Sequence, residues 1–204
     1  MNKYLTELIG TFFLFLTIGL AVTGHAAEAP LAIGTALGVM VYAGGHISGA
    51  HYNPAVTVAV WLRGKCPAAD VAPYWAAQVI GASLAAVIVS HLNGPGSAGT
   101  FASTPKILAA EFLFTFALCY VVLNVATAKA NAGNSFYGLA IGLTVFVGAT
   151  VVGPISGGAF NPAVAIGATV LGLFSPGNLW IYLVAEFAAA ACAAAVFKFA
   201  NPTD

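Results

Sequence analysis

About 20 consecutive apolar residues carry a helix across roughly 30 Å of hydrocarbon. Six stretches of that length recur between breaks rich in Gly, Pro, Asn and charge: Tyr4–Val22, Leu31–Gly49, Val71–Leu92, Lys106–Thr127, Phe136–Val152 and Asn178–Phe199. Each predicts a spanning helix. Two further stretches, Asn53–Leu62 and Asn161–Leu171, are too short to span, because ten residues of helix rise about 15 Å, half the hydrocarbon thickness. They read as half-helices. Lys3 before the first run and Ala26-Ala27-Glu28-Ala29 after it have the features of a signal peptide. Glu7 inside that run, and the equally apolar remainder of the chain, point instead to a retained first span.

Composition agrees with the pattern. The 204 residues are 60% hydrophobic and 6% charged, with a mean hydropathy of +0.95, whereas soluble chains carry about 25% charged residues. Six Lys and Arg with six Asp and Glu cannot clothe a core of this size, so the surrounding solvent is a lipid bilayer. A net charge of zero leaves no basic surface for nucleic acid. Cys66, Cys119 and Cys192 are scattered singly, a spacing that predicts neither a disulfide nor a metal site. With both termini inside, Lys3, Arg63, Lys65, Lys129 and Lys198 fall on the cytoplasmic side and only Lys106 falls outside, the excess that short cytoplasmic loops show. This is the pattern of a multi-pass protein of the plasma (inner) membrane with both termini cytoplasmic. Trp61, Trp75 and Trp180 stand near span ends, where interfacial anchoring is the default.

A repeat runs through the chain. Ile47-Ser48-Gly49-Ala50-His51-Tyr52-Asn53-Pro54-Ala55-Val56 returns 108 residues later as Ile155-Ser156-Gly157-Gly158-Ala159-Phe160-Asn161-Pro162-Ala163-Val164, with seven of ten positions identical. The same offset pairs Gln78 with Glu186, and a similar one pairs Glu7 with Glu111, so the repeat covers whole halves. The chain reads as one transmembrane channel domain, 1–204, of two repeats, 1–100 and 101–204. Each half holds three spans and one half-helix; an odd number of crossings inverts the second half, as in membrane transport proteins. Each Asn-Pro-Ala starts a helix, since Asn is a favoured N-cap, Pro is favoured at the first helical position and Ala is strongly helical. Inversion brings the two starts together at the midplane, each carrying roughly half a positive elementary charge from aligned peptide dipoles, which repels cations. Each Asn can cap with its oxygen and turn its NH₂ toward a passing neutral solute. The Ile-Ser-Gly residues before each cap are expected as non-helical backbone whose carbonyls ladder along a wet cavity.

These residues resemble the aquaporin, or major intrinsic protein, family over nearly the whole chain. The two Asn-Pro-Ala motifs, Asn53-Pro54-Ala55 and Asn161-Pro162-Ala163, carry the likeness, together with Glu7-Leu8-Ile9-Gly10-Thr11-Phe12 and Glu111-Phe112-Leu113-Phe114-Thr115-Phe116. The resemblance implies an all-α membrane protein with six transmembrane helices and two re-entrant half-helices in an inverted repeat. It also implies a homotetramer with one pore per subunit, in which Glu7 and Glu111 are buried and accept hydrogen bonds from the re-entrant loops. It places the selectivity filter on Ile33, Ala149, Gly158 and Val164. Most family members have Arg where this chain has Val164; a water-selective member also shows His at the second position and an aromatic at the first, and the glycerol pattern of Arg then Asp is absent, since Ala165 follows.

An Arg about 5 Å from a permeating cation would cost it about 3 kcal/mol at an effective dielectric near 20, or roughly two orders of magnitude in rate. Val164 supplies none of this. With Ala149 and Gly158 small, the constriction is expected to be wide and apolar unless a neighbour such as Phe160 fills it; an all-apolar ring can also dewet and close. The reading is a passive channel for water and small neutral solutes such as ammonia, hydrogen peroxide or small polyols. Two rivals stand beside it: a proton-coupled or pH-gated transporter using Glu186, with His46 and His51 as pore-lining or gating candidates, and a scaffold protein with a closed pore. The bland reading of Glu186 is a buried, neutral, hydrogen-bonded carboxyl, and that of both histidines is structural hydrogen bonding. Gly34, Gly38, Gly138 and Gly142 read as helix packing. No nucleophile–base pair, metal-ligand spacing, phosphate loop or cofactor motif points to an enzyme.

Overall fold

A computed structural model describes residues 1–204, and Asn, Gly or Pro stands at most of its helix ends. Six long helices, α1 (Asn2–Thr23), α2 (Ala29–Ser48), α4 (Ala68–Asn93), α5 (Thr104–Val122), α6 (Tyr137–Ser156) and α8 (Leu179–Ala200), alternate with two short ones, α3 (Pro54–Leu62) and α7 (Pro162–Leu171). A single π-helical turn, Leu123–Thr127, extends α5. All six long helices are long and apolar enough to cross a membrane. The expected half-helices are α3 and α7, each opened by an Asn whose side-chain oxygen accepts from the backbone of the next turn.

The non-helical stretch before each Asn is shorter than expected. Ile47 and Ser48 belong to α2, and Ile155 and Ser156 to α6; only Gly49–Asn53 and Gly157–Asn161 leave the helix. The glycines decide this. Gly49 and Gly157 adopt left-handed φ values of 84° and 90°, ending α2 and α6 without the steric cost a Cβ would bring.

The two halves pack alike. α1 lies on α2 and α4 as α5 lies on α6 and α8, and each short helix crosses to the other half, α7 against α4 and α3 against α8. α2 and α6 meet at their glycines: a Cβ on Gly34 would sit 2.6 Å from the Gly142 carbonyl oxygen, and one on Gly38 would sit 2.9 Å from that of Gly138. Small residues thus let two backbones touch, which is how helices associate where lipid provides no hydrophobic drive. Leu5, Phe13, Val39, Leu84, Leu113, Val147 and Val184 point outward, whereas Glu7, Gln78, Glu111 and Glu186 are fully buried. The apolar side faces lipid and the polar side faces in.

Charged groups gather at one end of the bundle. Lys3 pairs with Asp70 at 2.6 Å, Arg63 pairs with Asp204, and the backbone N–H of Lys129 donates to the same Asp204 carboxylate at 2.7 Å. Trp61 and Trp180 are exposed near helix ends, but Trp75 corrects its expected role as an interfacial anchor. Its indole N–H donates to the Pro54 carbonyl at 3.2 Å and its ring packs on Phe187, so it braces the start of α3.

Candidate pore and its re-entrant loops

The two loops between long and short helices repeat an unusual backbone. Ala50 and Tyr52 hold left-handed φ values of 49°, and Gly158 and Phe160 hold 67° and 51° at the equivalent positions. For non-glycine residues this conformation costs roughly 1–2 kcal/mol each, so other contacts must over-determine it. Glu7 supplies them in the first loop. Its carboxylate accepts from Ser48 Oγ at 2.6 Å, from the backbone N–H of His51 at 2.9 Å and of Tyr52 at 2.6 Å, and from Gln78 Nε2 at 2.8 Å. In the second loop Glu111 accepts from the N–H of Ala159 at 3.1 Å and of Phe160 at 2.8 Å, while Glu186 Oε1 accepts from that of Asn161 at 2.9 Å. Tyr74 and Tyr182 close each loop from behind, their hydroxyls donating to the carbonyls of Ser48 and Ser156 at 2.7 Å.

With the N–H groups drawn to one side, the carbonyls are left on the other. None of the carbonyls of residues 49–51 and 157–159 accepts a hydrogen bond from the protein. A cavity of about 380 Å³ passes the loops on that side, lined by Ala50, His51, Gly157, Gly158 and Ala159. Unpaired backbone acceptors beside a cavity are tolerated at membrane depth only where water or solute can reach them. The expected ladder therefore has its acceptors in place.

The short helices meet head to head. Asn53 Oδ1 accepts from the N–H of Ala55 and Val56, and Asn161 Oδ1 from those of Ala163 and Val164. Each Nδ2 then crosses to the other loop: Asn53 donates to the Phe160 carbonyl and Asn161 to the Tyr52 carbonyl, both at 2.8 Å. The sequence points each NH₂ toward a passing solute through its two hydrogens. One of them instead ties the loops together, and since an NH₂ has two donors, one remains at each Asn, and both Asn line the cavity.

Ile33 of α2, Ala149 of α6, and Gly158 and Val164 of the second re-entrant segment converge on this same cavity. Phe160 does not fill the space between them, contrary to the alternative raised from sequence. It is 1% exposed and turned away against Phe114, with ring centroids 5.5 Å apart, in a slot that a Cβ on Gly148 would block. The aromatics at the cavity are Phe101 and Phe174, which pack edge to face at 5.5 Å. No Lys, Arg, Asp or Glu lines the cavity; its polar side chains are His51, Asn53, Ser97 and Asn161.

His51 bonds Thr57 Oγ1 through Nδ1 at 3.1 Å. His46 is exposed and off the cavity, and Glu186 is fully buried behind the second loop, also off the cavity. Neither takes the pore-lining position considered for it. Sequence reasoning missed Ser97, Gly99 and Phe101, which reach the cavity from the connection between α4 and α5. That connection is laid across the mouth by backbone bonds from Gly96 to Leu171, Gly99 to Leu173 and Ala102 to Ile155. Its only sequence signal is the run of Gly94, Pro95, Gly96 and Gly99, which reads as an ordinary loop.

Six spans, two half-helices capped by Asn at one level and a cavity running past both caps define a membrane channel. The profile of the major intrinsic protein family matches residues 1–197, and the chain belongs to that family. It is 39% identical over 217 residues to aquaporin NIP1-3 of Oryza sativa subsp. japonica, spanning 100% of this chain and 75% of that one. It is 36% identical over 224 residues to aquaporin NIP1-2 of Arabidopsis thaliana, spanning 100% of this chain and 76% of that one. The X-ray structure of the aquaglyceroporin from Plasmodium falciparum shares the fold with a TM-score of 0.79 at 23% identity, covering 99% of this chain and 95% of that one. The protein is thus an integral, multi-pass membrane channel for water and small solutes, not an enzyme.

Proposed function

We propose that the chain is a passive pore for water and for neutral solutes broader than water, such as ammonia, hydrogen peroxide and small polyols. The observation that carries this is the lining: a cavity free of charged side chains, with Ala149, Gly158 and Val164 at the filter positions and unpaired carbonyls beside them. Small apolar side chains set width, while carbonyls and the free Asn amide hydrogens replace the hydrogen bonds a solute leaves behind. Cations are excluded by the N-termini of α3 and α7, which together present roughly one positive elementary charge where Asn53 and Asn161 meet. Glu7 and Glu111 act as supports for the loops that hold those ends. His51 is the pore-side histidine, and Glu186, lying off the cavity, favours a passive pore over proton coupling.

The same reading takes residues 1–100 and 101–204 as two inverted repeats of one channel domain. It places the cluster of Lys3, Arg63 and Lys129 on the cytoplasmic side with both termini, in the plasma (inner) membrane, and one pore in each subunit of a homotetramer. The deciding experiment is osmotic water permeability of the purified protein in liposomes, followed by a solute panel, with Asn53 and Asn161 both replaced as the control. Fast shrinkage that the control loses is the expected result. Shrinkage no faster than bare lipid, for water and every solute, would favour the scaffold reading.

A further inference from the structure

Glu186 has a buried oxygen with nothing to bond. Oε1 accepts from Asn161, but Oε2 is fully enclosed and faces no protein donor. The repeat sets Glu186 beside Glu111 as Gln78 is set beside Glu7, and the two carboxyls hold neighbouring loop N–H groups, those of Asn161 and Phe160. Two neighbouring ionised carboxylates, both fully buried, repel each other and lose their solvation. A proton between them removes both penalties.

The other half of the molecule shows what that proton replaces. Glu7 is held by four donors: a serine hydroxyl, two loop N–H groups and the amide of Gln78. Glu111 accepts from the two equivalent N–H groups, while the equivalent serine, Ser156, donates to the Val152 carbonyl at 3.4 Å. The fourth donor falls at the position of Gln78, which is Glu186. The neighbours differ to match. Gln78 has a second amide hydrogen, which goes to Thr57 Oγ1 at 3.1 Å; the position equivalent to Thr57 is Ala165, which accepts nothing. Where one acceptor is missing, a side chain with one donor fits better than a side chain with two. A protonated carboxyl has one.

We propose that Glu186 carries a proton and donates it to Glu111, standing in for the amide of Gln78, and so positions the second re-entrant loop. The pair then bears one negative charge, as Glu7 does alone, and the two loops are held by equal charge. The other titratable groups near Glu186 are Cys119 on α5 and Tyr182 on its own helix; α3 and α7, packed against α8, bring none. Glu186 is a positioning residue here, with no contact to solute.

The test uses the full chain in liposomes, with infrared difference spectra and water flux of the wild type, Glu186→Gln and Glu186→Leu. The protonated-carboxyl C=O stretch is expected in the wild type and absent from Glu186→Gln. Flux of Glu186→Gln should stay within about twofold of wild type and that of Glu186→Leu should fall about tenfold, the equivalent of one lost buried hydrogen bond. An unchanged carboxyl band in Glu186→Gln, or a flux as low as that of Glu186→Leu, overturns the proposal. If Glu186→Leu does not reach the membrane, the band and the glutamine variant decide alone. The flux arm rests on the pore reading and the spectral arm does not: a wild type with the band but without flux retains the carboxyl pair and sinks the pore reading.

Discussion

The two re-entrant loops have one backbone and two different sets of supports. Ala50 and Tyr52 repeat as Gly158 and Phe160 with the same left-handed turns, yet His51, Tyr52 and Thr57 on the first side become Ala159, Phe160 and Ala165 on the second. The first loop is stitched by side-chain hydrogen bonds; the second depends on Glu111, Glu186 and apolar packing. Backbone geometry is therefore what the repeat preserves, and each half satisfies it with the polar groups it has. The filter positions Gly158 and Val164 lie on the less polar side.

Removing the central carboxylates breaks this comparison most severely. Glu7→Leu strands four buried donors, and with roughly 1–3 kcal/mol for each left unpaired, a loss of about 4 kcal/mol or more is expected. Glu111→Leu strands two loop N–H groups and the proton proposed on Glu186, three donors against four, and should cost roughly three quarters as much. Thermal unfolding in detergent, followed by size-exclusion recovery, compares them; equal losses would mean that both loops rely on their glutamate alike.

Val164→Arg tests the less polar side. The side chain sits on the cavity wall, and a guanidinium there narrows the path while offering five fixed donors. Uptake of a small polyol should fall about tenfold or more, the share of a barrier that one misfitting contact supplies, with water flux changed far less. Unchanged polyol uptake would place the constriction elsewhere, at Phe101 and Phe174.

Replacing either Asn with Ala removes an N-cap, worth about 1 kcal/mol, and a bond across to the other loop of similar worth. Because the two crossings are reciprocal, Asn53→Ala and Asn161→Ala should destabilise equally, and the double variant should lose less than the sum if one crossing supports the other. A double-variant cycle on unfolding midpoints reads the coupling directly.

Most of this architecture was legible because a membrane makes sequence literal. Spans must be long and apolar, so six runs mark six helices, and Asn-Pro-Ala repeated after 108 residues marks two short helices and their meeting point. Ile33 and Ala149 carry no chemistry of their own and were placed through the family likeness. What stayed hidden was long-range pairing. Nothing local says that Trp75 reaches Pro54, that Asn53 donates to Phe160 or that residues 97–101 fold over the mouth. Those contacts depend on which backbone atoms three-dimensional packing leaves unpaired. The helical ends at Ile47-Ser48 and Ile155-Ser156 differ from expectation for a nearer reason, since Gly49 and Gly157 stop the helix two residues later than the motif suggests.

The smallest expected effect separates the loops by one hydroxyl. Tyr52 is fully buried in a slot so close that a Cβ on Gly10 would lie 2.1 Å from its ring and one on Gly44 1.9 Å from its hydroxyl. That hydroxyl donates to the Met40 carbonyl at 3.0 Å, a helix acceptor with a second lone pair to spare. Tyr52→Phe therefore removes one hydrogen bond without stranding a donor and should cost about 1 kcal/mol, with flux unchanged. Phe160→Tyr is the harsher exchange, because its ring lies between Phe114 and Gly148 in apolar packing and an added hydroxyl must either find an acceptor or force the wall apart, at about 1–3 kcal/mol. Unfolding midpoints of the two variants measure the difference, and equal values would show that the second loop has room and an acceptor that its sequence does not use.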